Sequence, residues 1–215
     1  MNPFSGQKFN YINPPELPSI TKFFENGKGY YHTPEGKLVS ITTILGANVP
    51  AGILSWRKSV GDSVADYIMH KAAARGKTVH SIIERYLSNN QPYPIQSYGV
   101  LPWGLFRVMK PALDKINDIR GIEIPIYSSS LHVAGTADTI ADYDNIPSII
   151  DYKTATKIRN SDDIRNHFLQ SAFYGICWQE LTREKLEQIV IIMGAEDGST
   201  AVFNEKMSDH VEDVK

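Results

Sequence analysis

The residues with the clearest chemical potential in this sequence are two aspartates and a lysine, Asp138, Asp151 and Lys153. Between the aspartates lies Asp144-Asn145, a residue pair that is typical of a tight hairpin turn. A turn centred there places Asp138 directly opposite Asp151, with Cβ atoms about 5 Å apart. Lys153 lies two residues further along and shares that face of the strand. The sequence therefore predicts two carboxylates and an amine on one side of a sheet.

Two carboxylates at that separation repel each other and need a compensating cation. A hard divalent ion is suited to this role, because Mg²⁺ needs only one or two carboxylates together with water and substrate phosphate. Ile149 and Ile150 directly precede Asp151, which indicates a buried strand. The alternative is an ordinary surface hairpin in which Lys153 neutralises Asp151.

The elements that must position these residues form one α/β domain over residues 1–215. The pattern predicts a loosely structured lead-in at 1–28, two short strands at 29–33 and 37–41, and a helical region at about 42–118 with breaks that include Gly61 and Gly76. A mixed-sheet catalytic core follows at about 120–204. Its predicted strands are 121–127, 131–142, 148–153, 188–193 and 200–204, and its predicted helix is 162–181.

Composition excludes several classes of protein. The chain is 42% hydrophobic and 21% charged, values of a folded globular domain, and no apolar run is long enough to span a bilayer. A single cysteine, Cys177, excludes an internal disulfide framework and a multi-cysteine zinc site. The net charge of −2 gives no global argument for nucleic acid. Residues 56–85, however, form a locally basic stripe, which is either a phosphate-binding surface or a solvated helix face.

Four motifs in order resemble the RecB-like branch of the PD-(D/E)XK nucleases. They are Arg75-Gly76-Lys77-Thr78-Val79-His80 with Glu84, Gly135-x-x-Asp138, Asp151-x-Lys153 and Gln170-x-x-x-Tyr174. The stretch SITTIL at 40–45, Trp56-Arg57-Lys58 and Gly61 are similar, more narrowly, to the mitochondrial genome maintenance exonuclease type, which includes phage exonucleases. The resemblance spans about residues 38–204, and Ala137 stands where the family name implies proline.

The resemblance implies a restriction-endonuclease-like PD-(D/E)XK core with the N-terminal helical region over the active site. The implied activity is a metal-dependent DNA exonuclease that acts on single-stranded ends in replication, repair or recombination. Mg²⁺ or Mn²⁺ would be held by His80, Asp138, Asp151 and the backbone carbonyl of Tyr152, with Lys153, Asp151 and Asp138 as catalytic residues. The implied DNA-binding residues are Trp56, Arg57, Lys58, Arg75, Lys77, Gln170 and Tyr174, and Glu84 and Glu123 are candidates for supporting positions.

Helical periodicity agrees with the assignment of His80. On the helix predicted around 79–87, His80 lies at the edge of the apolar stripe, from which it could reach over the sheet. The other five histidines receive no support from the resemblance. Glu123 is open to three interpretations: a support for the ligands, a ligand of a second metal, or a charge at a sheet edge.

Two alternatives remain beside the exonuclease. One is a structure-selective endonuclease, and the other is a catalytically silent domain that binds nucleic acid. The intact set of Asp138, Asp151 and Lys153 argues against the silent domain, because a binder has no need of a repulsive carboxylate pair.

The expected partner is DNA, and the chain is expected to be a monomer that does not bind a membrane. The N-terminus shows no signal or transit peptide, so the expected location is the cytoplasm of a bacterial or phage-infected cell.

Overall fold

A computed structural model describes residues 8–14, 16–47, 49–90 and 95–214, without the side chain of Asp162. The strands are β1 Thr21–Glu25, β2 Lys28–Thr33, β3 Gly36–Ser40, β4 Ile116–Ser128, β5 Val133–Tyr143, β6 Ile146–Ala155, β7 Gln188–Ala195 and β8 Thr200–Lys206. The helices are α1 Ile41–Gly46, α2 Ala51–Val60, α3 Asp62–Leu87, α4 Ile95–Tyr98, α5 Val100–Leu113, α6 Arg165–Thr182 and α7 Val211–Val214. Short 3₁₀ turns occupy Asp162–Ile164 and Met207–Asp209.

The eight strands form one mixed sheet with helices packed on it. Its order is β1-β2-β3-β5-β6-β7-β8, and β4 pairs with β5 in addition. The β3–β5 and β6–β7 pairs are parallel and the others are antiparallel. One core cluster joins α3 and α5 to the sheet, and a second joins α6 to it. The predicted mixed α/β architecture with a flanked central sheet is confirmed, and none of the described helices has the length and apolar character to cross a membrane.

The sheet forks at β5. One edge of β5 pairs with β4 along most of its length, while the other edge pairs with β3 at Val133 and Ala134 and with β6 from Thr139 to Tyr143. Between those two ladders, the described strands leave the edge of β5 without a main-chain partner. Asp138 lies in this gap, where its carboxylate contacts β6 in place of the main chain, since Oδ2 accepts a hydrogen bond from the Tyr152 N–H.

The predicted register of the β5–β6 hairpin is confirmed. Its pairs run from Tyr143↔Ile146 to Thr139↔Ile150, and Asp144 and Asn145 both have positive φ, at 51° and 65°. Left-handed conformations at both central residues define the type I′ turn that fits the twist of a hairpin. The ladder ends one pair before Asp138 and Asp151, so the strands part at the two acids.

Three predicted features of the N-terminal half were wrong. Residues 1–28 were expected to be a loose lead-in, but β1 lies within them and pairs with β2 across Asn26-Gly27, whose positive φ values mark a tight turn. The helical region ends at Leu113, and β4 begins at Ile116 rather than near 120. Gly76 does not interrupt α3, because tertiary packing against the sheet outweighs its low helix propensity.

Candidate metal centre

An irregular pair of acids lies at the centre of the site. The pairs on either side of Glu123 keep one register, which places Glu123 opposite Asp138. Glu123 has a φ of 51°, and Ile122 and Ile124, which would share a face in a regular strand, pack in different core clusters. The side chains of β4 therefore change from one face of the sheet to the other at Glu123. A left-handed non-glycine residue costs about 1–3 kcal/mol, and such strain clusters at functional sites.

Helix α3 brings a histidine to these acids. At Gly76 the helix faces β6, where an added Cβ would be in ordinary van der Waals contact with Thr154 Oγ1 at 3.6 Å. One turn later, His80 Nδ1 is 3.6 Å from Glu123 Oε1 and 3.6 Å from Asp138 Oδ1. His80 Nε2 is 2.9 Å from the carbonyl oxygen of Tyr152. Because a carbonyl only accepts hydrogen bonds, Nε2 carries the proton, and in a neutral ring Nδ1 is left unprotonated on the side of the acids, where it is available as a metal ligand.

These three side chains fit a divalent metal ion. One ligand atom from each of His80, Glu123 and Asp138 lies within 4.8 Å of the others. Asp138 is also oriented by the backbone N–H of Tyr152, which donates to its Oδ2 at 3.0 Å. Two carboxylate oxygens and an imidazole nitrogen suit Mn²⁺, and the oxygens suit Mg²⁺. Glu123, predicted as a supporting residue, is thus placed among the potential ligands.

The buried Asp151 and the partly exposed Lys153 form an ion pair next to this group. Lys153 Nζ donates to Asp151 Oδ1 at 2.6 Å, and Asp151 is 1% exposed. Asp151 Oδ2 is 2.6 Å from the same Nζ but accepts no hydrogen bond from the described residues. The Tyr152 carbonyl receives the hydrogen bond of His80, so it braces the imidazole here. The assignments of Asp151 and Tyr152 as ligands stay predictions.

The surroundings of the site raise two pKa values, so protons compete with a metal ion for these two groups. Burial raises the pKa of Asp138, and the Asp151 charge raises it further, to about 6. Burial lowers the pKa of His80, but Asp138 and Glu123 outweigh burial and raise that pKa to about 9. Without an ion, His80 is therefore an imidazolium at neutral pH. Its positive charge compensates the acids until a metal replaces its proton.

A cleft opens onto the metal group. Its volume is ≈ 590 Å³, and the described residues that line it are Lys77, His80, Ser81, Glu84 and Glu123. Lys77 and Glu84 thus line the same cleft as two of the potential ligands, and the roles predicted for both residues stay predictions.

The two predicted DNA-binding arginines are occupied by carboxylates. Arg57 pairs with Asp62 and Asp66 at 3.0 and 2.8 Å, and Arg75 pairs with Glu196. The same region presents Lys58 exposed and Trp56 half-buried on α2. Contact of either arginine with a phosphate would require exchange of its carboxylate partner.

Tyr174 and Gln170 brace the strand that carries Asp138. Tyr174 is 2% exposed, and a Cβ added to Gly135 would lie 2.4 Å from its ring. Gln170 Nε2 donates to the Tyr174 hydroxyl at 2.9 Å. Only glycine permits this approach, which gives the Gly135-x-x-Asp138 spacing a packing reason. The buried ring of Tyr174 presents no face to a base, so its predicted contact with DNA is replaced by support of β5.

His167 is a neighbour of the site that the sequence prediction missed. Burial lowers the pKa of His167, and the Lys153 charge adds to this effect, so the pKa is about 4. A neutral imidazole therefore lies near Lys153 at physiological pH. The available sequence signal was its place in the first turn of the helix that follows β6.

Removal of the Asp138 charge should stabilise the metal-free protein. The pKa of Asp138 is about 6 in the folded protein and about 4 in the unfolded chain. The contribution of this carboxyl to the free energy of unfolding is therefore fully present below about pH 4 and is lost as the pH rises through about 6. We expect Asp138→Asn to raise the unfolding temperature above that of the wild type by about 2 °C or more at pH 8, and by less at pH 5. Thermal unfolding in EDTA measures this, with exposed Asp163→Asn as the control. A lower unfolding temperature at pH 8 would contradict the account of the acid pair.

Comparison with known proteins adds no assignment. No family model matches this chain, and no curated protein matches it. The function proposed below therefore depends on the geometry of the site and on the resemblance of its motifs.

Proposed function

We propose that this chain is a metal-dependent DNA exonuclease with a PD-(D/E)XK core that hydrolyses phosphodiester bonds at single-stranded ends in replication, repair or recombination. One observation carries the proposal. The fold brings His80, Glu123 and Asp138 together beside the Asp151–Lys153 pair, although they come from three separate parts of the chain. Carboxylates and a lysine on the sheet, with an imidazole brought to them by α3, are the functional parts that a hydrolytic phosphoryl-transfer site needs.

In this proposal some residues of the site bind the metal ion and others hold those residues in position. His80, Glu123 and Asp138 would hold Mg²⁺ or Mn²⁺, and Asp151 would join them through Oδ2, whose contact among the described residues is the ion pair with Lys153. The bound ion would polarise the scissile phosphate and lower the pKa of a coordinated water. Tyr152 holds the set in place, because its N–H orients Asp138 and its carbonyl orients His80.

Lys153 acts as a cation in this proposal. Burial lowers the pKa of Lys153, but Asp151 and Asp138 outweigh burial and raise it above the ordinary value. A protonated ammonium donates hydrogen bonds and stabilises charge that develops on phosphoryl oxygens, but it cannot accept the proton of a water. The structure thus favours charge stabilisation over the alternative role of general base for Lys153.

The DNA path is proposed along the helical region that precedes the metal group. Lys77 lies exposed at the cleft and Lys58 is exposed on α2, so both can meet phosphates directly. Trp56 offers a half-buried aromatic surface on the same helix as Lys58. In this proposal the strand passes beneath the helices and reaches the metal from a free end, so a closed circle cannot be threaded.

Topology of the substrate tests the exonuclease. We expect rapid degradation of linear single-stranded DNA in Mg²⁺ or Mn²⁺ and little attack on a covalently closed circle of the same sequence. A gel of both substrates measures this, with the circle linearised at one site as the matched control. Rapid cleavage of closed circles would refute threading and favour a structure-selective endonuclease. Binding of both substrates without cleavage of either would favour a silent nucleic-acid-binding domain.

A further inference from the structure

An aromatic and basic edge of the sheet has no role in the site described above. Strand β1 is the end strand of the sheet, and Phe24 within it is 72% exposed. Lys22 lies two residues earlier on the same face, with Nζ 5.6 Å from the centroid of the Phe24 ring. A single exposed aromatic side chain is common on protein surfaces, so its significance depends on what lies beside it.

A cleft of ≈ 710 Å³ opens beside Phe24. Lys22 and Lys28 lie along it, together with the hydroxyl-bearing Thr42 and Thr43 of α1. None of the described residues that line it is acidic, and the nearby Glu25 is paired with Lys37. The cleft therefore combines an open aromatic face with an excess of positive charge. This combination fits an anionic, base-bearing polymer better than an apolar protein surface.

The hairpin that carries Phe24 is connected to the strand of the metal centre. Strand β3 pairs with β5 at Ala134, and the Tyr31 hydroxyl of β2 lies 2.8 Å from Thr136 Oγ1. Thr136 is two residues before Asp138 on β5. Three strand spacings, about 14 Å, separate β1 from β5, and Asp138 lies four residues, about 13 Å, along β5 from Ala134, so Phe24 is roughly 20 Å from Asp138. A DNA strand of several nucleotides with its scissile phosphate at the metal centre can span this distance.

We propose that Phe24, Lys22 and Lys28 form a subsite for single-stranded DNA, in which a base stacks on the Phe24 ring and the two lysines neutralise phosphates. The proposal rests on the proposed nuclease function and adds the residues that hold the strand away from the metal. Stacking of a base on an aromatic side chain changes affinity by roughly 5- to 150-fold. The lysines make binding dependent on salt through the release of counterions.

Fluorescence of a short single-stranded oligonucleotide that carries 2-aminopurine tests the subsite directly. Binding is measured by anisotropy in EDTA, where metal-dependent cleavage does not interfere, and stacking is measured by quenching of the 2-aminopurine at each position in turn. We expect Phe24→Leu to weaken binding about 5-fold or more and to abolish quenching at one position, whereas Phe24→Tyr retains both. Lys22→Glu should weaken binding and flatten its salt dependence. Val202→Ala and Lys206→Glu, on β8 at the opposite end of the sheet, are the matched controls.

Two results would overturn the subsite. The first is a wild type that cleaves DNA together with a Phe24→Leu variant whose affinity and quenching equal those of the wild type. The second is a loss of binding in the β8 controls that is as large as the loss in Phe24→Leu. Failure of the proposed function has a different signature, because the wild type would then cleave no DNA in any divalent metal ion. Phe24 is largely exposed, so its substitution leaves the core intact, and an unchanged unfolding temperature verifies this.

Discussion

Lys153→Ala is expected to reduce DNA cleavage by about 10²-fold or more while leaving metal affinity intact or slightly tighter. Lys153 pairs with Asp151, and no described hydrogen bond or ion pair joins it to His80, Glu123 or Asp138, so its loss removes a cation from the reaction and no member of that group. Removal of a positive charge next to the site also reduces repulsion of a divalent ion. Single-turnover cleavage and calorimetric titration with Mn²⁺ measure the two effects separately.

The experiment with Lys153→Ala must separate loss of catalysis from loss of stability, because Lys153 is the ion-pair partner of the buried Asp151. Asp151 is 1% exposed and loses its cation in Lys153→Ala, which destabilises the fold. Cleavage is therefore measured well below the unfolding temperature, and retained Mn²⁺ binding reports an intact site. Lys185→Ala, an exposed lysine in the segment between α6 and β7, is the matched control. Wild-type turnover in Lys153→Ala would remove Lys153 from the mechanism.

Metal affinity is expected to rise about tenfold for each pH unit between pH 7 and pH 9. The ion must displace the proton of His80, whose pKa is raised to about 9 by Asp138 and Glu123 against the opposing effect of burial. Below about pH 6 the dependence becomes steeper, because Asp138 must also lose a proton. Calorimetric titration with Mn²⁺ in two buffers of different ionisation enthalpy counts the protons released.

Replacement of His80 shows whether its proton, rather than that of another group, causes the pH dependence of metal affinity. His80→Ala should bind Mn²⁺ with an affinity that is nearly constant between pH 7 and pH 9, and it should release no proton in that range. His70→Ala, an exposed histidine on the same helix, should behave as the wild type. A pH dependence that persists in His80→Ala would show that another group titrates with metal binding.

The sequence could predict the elements whose signals are local. The register of β5 and β6 follows from Asp144-Asn145, since a two-residue turn determines which side chains face each other. The same signal exists at Asn26-Gly27, but the Pro- and Asn-rich composition around it led to a loose segment being predicted instead of β1. The sequence around Gly76 does not show that the helix continues through it, because the packing of this part of α3 against Thr154 of β6 is a tertiary interaction.

The parts of the site that could not be predicted depend on long-range geometry. Glu123 meets His80 and Asp138 only because β4 adopts a left-handed conformation between two regular pairs, which no local pattern encodes. The Arg75–Glu196 pair joins residues 121 positions apart. His80 was assigned by family resemblance, and its contact with the Tyr152 carbonyl, which fixes the proton on Nε2, appears only in three dimensions.

Cleavage of end-labelled linear single-stranded DNA in Mg²⁺, Mn²⁺, Ca²⁺ or EDTA, by the wild type and by Asp138→Asn, tests the central claim most directly. The account predicts cleavage by the wild type in Mg²⁺ or Mn²⁺, none in EDTA, and none by Asp138→Asn in any ion, although that variant remains folded. Asp163→Asn should cleave as the wild type does. Cleavage that persists in EDTA, or equal cleavage by Asp138→Asn, would contradict a metal-dependent nuclease centred on His80, Glu123 and Asp138.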